Sequence, residues 1–257
     1  MTTPSRTRVL ALALLLAVCI TLLPPGLGGT LPVQAAGSVS LTTFGTAYTQ
    51  DFNTLASSGT ANTAVPAGWE FNESGTNANT TYRAGTGSDN TGDTYSFGAA
   101  SNSERAFGGL RSGSLVPLIG AQFTNNSNGT ITSLAIAYTG EQWRLGQNTS
   151  GRSADRLDFQ LSTDATGITT GTWTDADSLD FASPVVAGTV GALNGNVAPN
   201  RTAISFTITG LNIPNGATFW LRWADSDLIP GADDGLSVDD FSLTANGVSS
   251  ALRWHCT

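Results

Sequence analysis

The sequence contains no lysine, a single histidine and only two cysteines, and these shortages exclude several classes of protein. His255 lies at the extreme end of the chain, a poor position for the base of a Ser-His-Asp triad. No His/Cys spacing of the kind used for zinc occurs, and no glycine-rich phosphate loop follows a strand and opens a helix. We therefore expect no catalytic residues and predict that the protein is not an enzyme.

The N-terminus has the pattern of a secretory signal peptide. Arg6 and Arg8 precede an apolar run over residues 9–23, and Val33, Gln34 and Ala35 resemble a small-residue cleavage site. The run is shorter than the roughly 20 residues that a membrane-spanning helix needs. We predict a signal peptide over residues 1–35, no membrane span in the mature chain, and a secreted, extracellular protein.

Processing would leave an acidic chain with one cysteine. Removing Arg6 and Arg8 leaves nine arginines against 19 acids, a net charge of 9 − 19 = −10. Such a charge argues against binding to nucleic acid or to anionic lipid, and it is compatible with divalent cations. Cys256 alone survives, so the mature chain cannot form an intramolecular disulfide.

Beyond residue 36, apolar residues recur at every second position, which is typical of half-buried strands. Examples are residues 157–161 (LDFQL), 204–208 (ISFTI) and 219–223 (FWLRW), each followed or preceded by glycine- and asparagine-rich turns. We predict an all-β, antiparallel β-sandwich of the jelly-roll type, as one domain over residues 36–247. A β-solenoid is the main alternative, but no repeat of fixed period is present.

Two further features concern the C-terminal part of the chain. In residues 235–244 (GLSVDDFSLT) the apolar alternation slips by one position across Asp239 and Asp240, which predicts a bulge at the acidic pair. Residues 248–257 differ in character from the preceding strands and contain His255 and Cys256. We expect this tail to be a truncated or frame-altered end, with relatives continuing into further domains.

Several acid-rich segments offer the oxygen ligands that Ca²⁺ prefers. If the first and last strands of the sandwich pair, Asp51 and Asn53 lie close to Asp239 and Asp240, and these four residues are the predicted ligands of a structural calcium ion. Residues 225–234 and 175–180 are weaker candidates. Solvated surface acids are the alternative for all of them.

Aromatic residues supply the candidate ligand contacts. Exposed tryptophan rings on a β-sandwich stack against sugars, and Trp143 lies between groups that hydrogen-bond hydroxyls, Glu141 and Arg144. Trp69 is a second candidate. Core packing is the alternative, and it is favoured for Trp223, which alternates in phase with Phe219 and Leu221.

The order of several short motifs resembles the MAM-like and cleaved-adhesin jelly-roll modules of secreted bacterial proteins. The motifs are residues 48–53 (YTQDFN) with 65–69 (VPAGW), 161–164 (LSTD) with 172–174 (TWT), and 238–243 (VDDFSL). Residues 91–98 and 105–110 resemble a subgroup that precedes Calx-beta, lamin-tail or endonuclease/phosphatase domains. The resemblance implies a jelly-roll with a binding or adhesive role and a possible calcium ion.

We therefore expect a secreted, non-catalytic module that binds a glycan or another cell-surface partner. Two alternatives stay open at this point. The first is that the chain is an N-terminal accessory module of an extracellular nuclease or phosphoesterase. The second, and least favoured, is that it is a glycan-cleaving enzyme that uses a pair of its carboxylates.

Overall fold

The computed structural model describes residues 33–34, 37–226 and 231–249. Within them the chain forms strands and a single 3₁₀ turn, Asp177–Leu179. The strands are β1 Val33–Gln34, β2 Val39–Leu41, β3 Ala47–Gln50, β4 Trp69–Ser74, β5 Arg83–Gly85, β6 Asp93–Phe97, β7 Ala106–Leu110, β8 Val116–Asn125, β9 Gly129–Leu145, β10 Arg156–Ser162, β11 Thr174–Asp175, β12 Phe181–Ala182, β13 Gly191–Ala192, β14 Arg201–Ile213, β15 Thr218–Ser226 and β16 Gly235–Ser249.

The strands form two sheets, which we call sheet A and sheet B. Sheet A has the order β1-β4-β8-β15-β10-β11, with β2 added to β8 and β12 to β10. Sheet B has the order β13-β9-β16-β7-β6-β5, with β14 added to β9 and β3 to β16. The pairs β2–β8 and β5–β6 are parallel, and the other pairs are antiparallel. From β8 to β10 and again from β14 to β16 the chain alternates between the sheets, so the predicted jelly-roll-like sandwich is confirmed.

The core lies between the two sheets and is formed by the alternating apolar residues. Phe219, Leu221 and Trp223 of β15 are all buried, as predicted from their common phase. The Trp223 ring stacks on Trp69 at a centroid distance of 5.9 Å and packs edge-on against Phe241 of β16 at 5.7 Å. Large aromatic rings in such arrangements stabilise a core beyond the apolar area that they bury.

A bulge interrupts β16 at the acidic pair, as the phase slip predicts. Asp239 pairs with Thr139 and Ser242 pairs with Ala137, so three steps along β16 correspond to two along β9. Asp240 occupies the extra position with φ of 49°, a left-handed conformation that is uncommon for a residue with a side chain. The bulge separates the directions of the two carboxylates: Asp239 is buried and Asp240 is exposed.

Parts of the predicted domain organisation lie outside the described residues. Of the predicted signal peptide, residues 33–34 are described and form β1, which pairs with β4. Of the predicted tail, Val248 and Ser249 belong to β16 and the remainder is not described. Cys19, Cys256 and His255 also lie outside. No helix in the described ranges has the length and apolar character needed to cross a bilayer.

Candidate metal centre

Three acids from distant parts of the sequence converge on the face of sheet B that is turned away from the main core. Glu141 belongs to β9, Asp239 to the bulge of β16, and Glu104 to the loop before β7. Each contributes a carboxylate oxygen, and these oxygens all lie within 4.8 Å of one another. We call Glu104, Glu141 and Asp239 the carboxylate cluster.

The backbone register explains why two of these side chains meet. In β16, Ser237 pairs with Glu141 and Asp239 pairs with Thr139. Glu141 and Asp239 are therefore diagonal neighbours on one face of an antiparallel pair, a separation that long side chains span. Glu104 reaches the same face from the loop between β6 and β7, where its Oε2 accepts a hydrogen bond from Asn196 Nδ2.

The cluster is enclosed, and part of its hydrogen-bonding capacity is unused. Glu141 is 1% exposed, Asp239 is 6% exposed and Glu104 is half-buried. The buried oxygens Glu104 Oε1 and Asp239 Oδ1 have no hydrogen-bond partner among the described residues. None of the three acids forms an ion pair with an arginine in that part of the chain either. Buried carboxylate oxygens without a donor are costly unless a proton or a cation occupies the space between them.

Burial and mutual repulsion act on the cluster in the same direction. Desolvation raises the pKa of Asp239 to about 8, and the negative charges of Glu141, Asp240 and Glu104 add to the shift. Desolvation likewise raises the pKa of Glu141 to about 7, against the hydrogen bond from Trp143. Like charges at this distance disfavour the ionised form of each neighbour. A cation would remove that penalty.

The spacing of the oxygens fits a hard divalent cation. Calcium binds oxygen ligands at about 2.3–2.6 Å, so it bridges ligand atoms that lie up to about 5 Å apart. The 4.8 Å limit within the carboxylate cluster meets this condition. All three donors are carboxylates, the ligand type that calcium prefers.

Trp143 and Trp69 do not present rings to solvent, contrary to the expectation that they are exposed. Trp143 is 1% exposed because it stacks on Phe97 at 6.1 Å and lies under the 183–200 segment, where a Cβ on Gly195 would approach the indole nitrogen to 2.4 Å. Trp69 is fully buried in the main core and donates its indole N–H to the Tyr48 hydroxyl at 3.0 Å. Neither ring is available for stacking on a sugar.

The predicted neighbours of Trp143 have separate roles. Glu141 Oε2 accepts the indole N–H of Trp143 at 2.9 Å, which fixes this carboxylate within the cluster. Arg144 Nη1 donates instead to the backbone oxygens of Gly87 and Ser88, at 2.9 and 3.2 Å. Glu141 and Arg144 therefore do not act together on one ligand.

The four predicted calcium ligands lie in three places. Asp51 and Asp240 line a cavity of about 450 Å³ together with Thr49, Gln50 and Phe241. Asp239 belongs to the carboxylate cluster. Asn53 uses its Oδ1 to accept the backbone N–H of Arg105 at 2.9 Å, which holds the loop that carries Glu104.

Glu104 is the member of the cluster that sequence reasoning missed. It lies 37 positions before Glu141 and 135 before Asp239, and no local spacing connects the three. The scarcity of glutamate is the sequence feature that could have pointed to Glu104. The chain has only four glutamates, and two of them belong to this cluster.

No protein-family model matches the chain, and no curated protein matches it. Among solved structures, it is similar to the CBM22-1 xylan-binding domain of Paenibacillus barcinonensis Xyn10C, with 11% identity, 82% of this chain and 100% of that one covered, and a TM-score of 0.37. It is also similar to TmCBM61 in complex with β-1,4-galactotriose (10% identity, 68% and 88% covered, TM-score 0.34). A third is an isomalto-dextranase of Arthrobacter globiformis T6 (13% identity, 80% and 33% covered, TM-score 0.34). Likenesses at this level assign no function to the chain.

Proposed function

We propose that this protein is a non-catalytic, extracellular β-sandwich binding module that holds a Ca²⁺ ion in the carboxylate cluster. The observation that carries the proposal is the convergence of one oxygen each from Glu104, Glu141 and Asp239 within 4.8 Å, in acids of which two, Glu104 and Asp239, also have a buried oxygen without a hydrogen-bond partner among the described residues. The extracellular location rests on the N-terminal pattern.

Calcium is the cation that best matches the ligands. The cluster consists of carboxylates alone, whereas zinc sites are built from cysteine and histidine as well as acids. Mg²⁺ demands shorter contacts in a near-octahedral arrangement and retains several waters, which an enclosed site accommodates poorly. Calcium takes six to eight oxygens, so the remaining ligands would be backbone carbonyls or water.

The burial of the cluster supports a structural role rather than catalysis. Glu141 and Asp239 are almost completely covered, so a polysaccharide has no access to their carboxylates. Glycosidases place their two acids on either side of an open cleft, whereas Glu141 and Asp239 are enclosed. The ion would connect β9, β16 and the loop before β7.

Calorimetry and thermal unfolding test the proposal directly. We expect calcium to bind the EGTA-treated protein and to raise its stability by about 2.7 kcal/mol when free Ca²⁺ exceeds the Kd about 100-fold. The substitutions Asp239→Asn and Glu141→Gln should abolish this increase. They should leave the sandwich folded, because both replacements keep the size and polarity of the side chain.

Asp51→Asn is the matched control because Asp51 is a predicted ligand that lies outside the cluster. We expect this variant to keep the full calcium effect. If Asp51→Asn loses the effect and Asp239→Asn keeps it, the ion occupies the cavity beside Asp240 instead. The absence of calcium binding by the unaltered protein would refute the proposal as a whole.

Glycan binding is a second candidate function, and one surface favours it. Trp173 is half-exposed on the outer side of sheet A, where the Arg222 guanidinium lies 3.8 Å from the ring centroid. Arg222 Nε donates to Gln160 Oε1 at 2.7 Å, and Gln160 Nε2 donates to Asp175 Oδ1 at 2.6 Å. An accessible aromatic ring beside ordered hydrogen-bonding groups is suited to a sugar.

Binding to a panel of insoluble polysaccharides tests this second function. We expect retention of the protein on at least one polysaccharide, and its loss in Trp173→Ala. Val248→Ala, an exposed apolar change on β16, is the control and should be retained like the unaltered protein. Equal retention of both variants would show that Trp173 is not the contact.

A further inference from the structure

Strand β14 forms a long edge of sheet B. It runs for 13 residues, Arg201–Ile213, and pairs along one side with β9. Among the described residues, no strand pairs with its other side, and no loop forms a backbone hydrogen bond to it. The strand therefore presents a row of backbone donors and acceptors that are available to another strand.

Over residues 202–209, before the register shift between Thr209 and Ile213, this edge lacks the charges and prolines that usually protect exposed strands. Residues 202–213 (TAISFTITGLNI) contain no charged residue and no proline, although the whole chain has a net charge of −8. Natural edges are commonly blocked by inward-pointing charges, proline or a covering loop. A second copy of so acidic a chain meets the least electrostatic repulsion along an uncharged edge.

The apolar side of the strand is only partly covered by its own sandwich. Ile204 and Ile208 pair with Tyr138 and Leu134 of β9 and are half-buried against the core. Phe206, between them and on the same side, is 46% exposed. The core-facing side of β14 thus leaves an aromatic ring partly exposed to water.

The residue pattern of β14 is symmetric about Phe206. If the strand pairs antiparallel with the same strand of a second copy around this residue, Phe206 faces Phe206 and Ile204 faces Ile208. On the opposite side Ser205 faces Thr207 and Ala203 faces Thr209. Both copies then have their apolar sides on the same side of the joined sheet, as a two-fold axis requires.

We propose that the protein forms a two-fold dimer in which the β14 strands of two copies pair antiparallel, centred on Phe206, to join the two B sheets into one. The second copy covers the exposed Phe206 ring and completes the hydrogen bonding of the edge. Because a two-fold pairing uses the β14 edge of both copies, the association closes at two copies. The surface is separate from the carboxylate cluster, so the proposal does not depend on calcium.

Sedimentation equilibrium of the purified protein tests the dimer. We expect the unaltered protein to be dimeric and Phe206→Lys to be monomeric at the same concentrations, since a lysine on each copy would be buried against its counterpart. Ser205→Lys places the same charge on the other side of the strand and should also be monomeric. Val248→Lys, which alters an exposed apolar residue elsewhere, should remain dimeric.

Disulfide cross-linking tests the register. In a background with Cys19 and Cys256 replaced by serine, Phe206→Cys should form a covalent dimer on oxidation because this residue faces itself across the axis. Thr209→Cys should not, since it faces Ala203. A monomeric unaltered protein, a dimer that survives both lysine substitutions at β14, species larger than two copies, or equal cross-linking at 206 and 209 would each overturn the proposal.

Discussion

Two groups of buried acids in this molecule differ in one respect, which is whether an arginine accompanies them. In the first group Arg152 lies between Asp155 and Asp234, with Nη2 2.5 Å from Asp234 Oδ2 and 3.5 Å from Asp155 Oδ2. All three side chains are at most 2% exposed. We call this the arginine-centred cluster. The carboxylate cluster has a similar burial for two of its three acids and no such partner in the described ranges.

The two groups differ in the donors that contact their buried carboxylates. Asp234 also accepts the backbone N–H of Gly146 at 2.7 Å, and the backbone N–H of Asp234 donates to Asp155 Oδ2 at 2.7 Å. The first group therefore has an arginine and two backbone N–H donors from within the protein, which offset part of its negative charge. Among the residues that the structure describes, the donors to the second group are the indole of Trp143, the Asn196 amide and the backbone, so an external cation can offset its remaining charge.

Removing the internal cation should produce the largest effect. We expect Arg152→Met to lower the free energy of unfolding by about 3–5 kcal/mol, because Asp155 and Asp234 are then buried without their counter-charge. Denaturant titration measures the loss, and added calcium should not restore it. Arg156→Met is the control, since Arg156 is 36% exposed and its pairs with Asp158 and Asp180 are screened by water. Its loss should be about 1 kcal/mol or less, and equal losses would contradict the comparison.

Glu70 is a buried acid that forms no ion pair with an arginine among the described residues and lies outside the carboxylate cluster. Glu70 of β4 is 1% exposed and accepts the backbone N–H of Ile168 at 2.8 Å, and desolvation raises its pKa from 4.5 to about 7. A raised carboxyl pKa means that the folded state binds the proton more tightly than the unfolded state. The contribution of Glu70 to stability is therefore most favourable below pH 4.5 and declines as the pH rises through 7.

Glu70→Gln should remove this part of the pH dependence. We expect the variant to match the unaltered protein near pH 4.5 and to be more stable, by roughly 2 kcal/mol, near pH 8, where the unaltered protein must bury an ionised carboxylate. The amide oxygen can still accept the Ile168 N–H. Thermal unfolding across this pH range measures the difference between the two proteins, and a difference that does not vary with pH would contradict the assignment.

The fold could be predicted from the sequence because the apolar alternation of each strand is visible within a short stretch of residues. Alternation in β10 and β15 identified the strands and their buried faces, and the phase slip at Asp239 and Asp240 located the bulge. These signals depend on the two-residue period of a strand, which a single stretch of sequence displays. The choice of Asp239 as a candidate ligand followed from the same stretch.

The remainder of the site depends on contacts between distant parts of the chain. Trp143 has the polar neighbours expected of an exposed contact, yet the 183–200 segment covers it, and nothing near residue 143 indicates this. Likewise, Arg152 forms an ion pair with Asp234 across 82 positions, whereas Arg201, the cross-strand neighbour of Glu141, forms none with Glu141. Tertiary packing decides which acids form ion pairs with arginines. The sequence therefore shows which charged residues are present but not how they pair.

The smallest effect that we predict changes sign with calcium, and it distinguishes the carboxylate cluster from the arginine-centred cluster. Glu104 is the half-buried member of the carboxylate cluster. Glu104→Gln removes a negative charge that raises the pKa of both Asp239 and Glu141, and it keeps an oxygen for the Asn196 amide. In EGTA the variant should be more stable than the unaltered protein by about 0.5–1 kcal/mol, since solvent screens part of the repulsion. In saturating calcium it should be less stable, because a charged ligand is lost.

Asp155→Asn in the arginine-centred cluster is the control. It should reduce stability in both conditions, because there the charge already has its partner. If Glu104→Gln has the same sign with and without calcium, the carboxylate cluster holds protons rather than a cation, and the two groups of acids differ only in how each is neutralised by the protein itself.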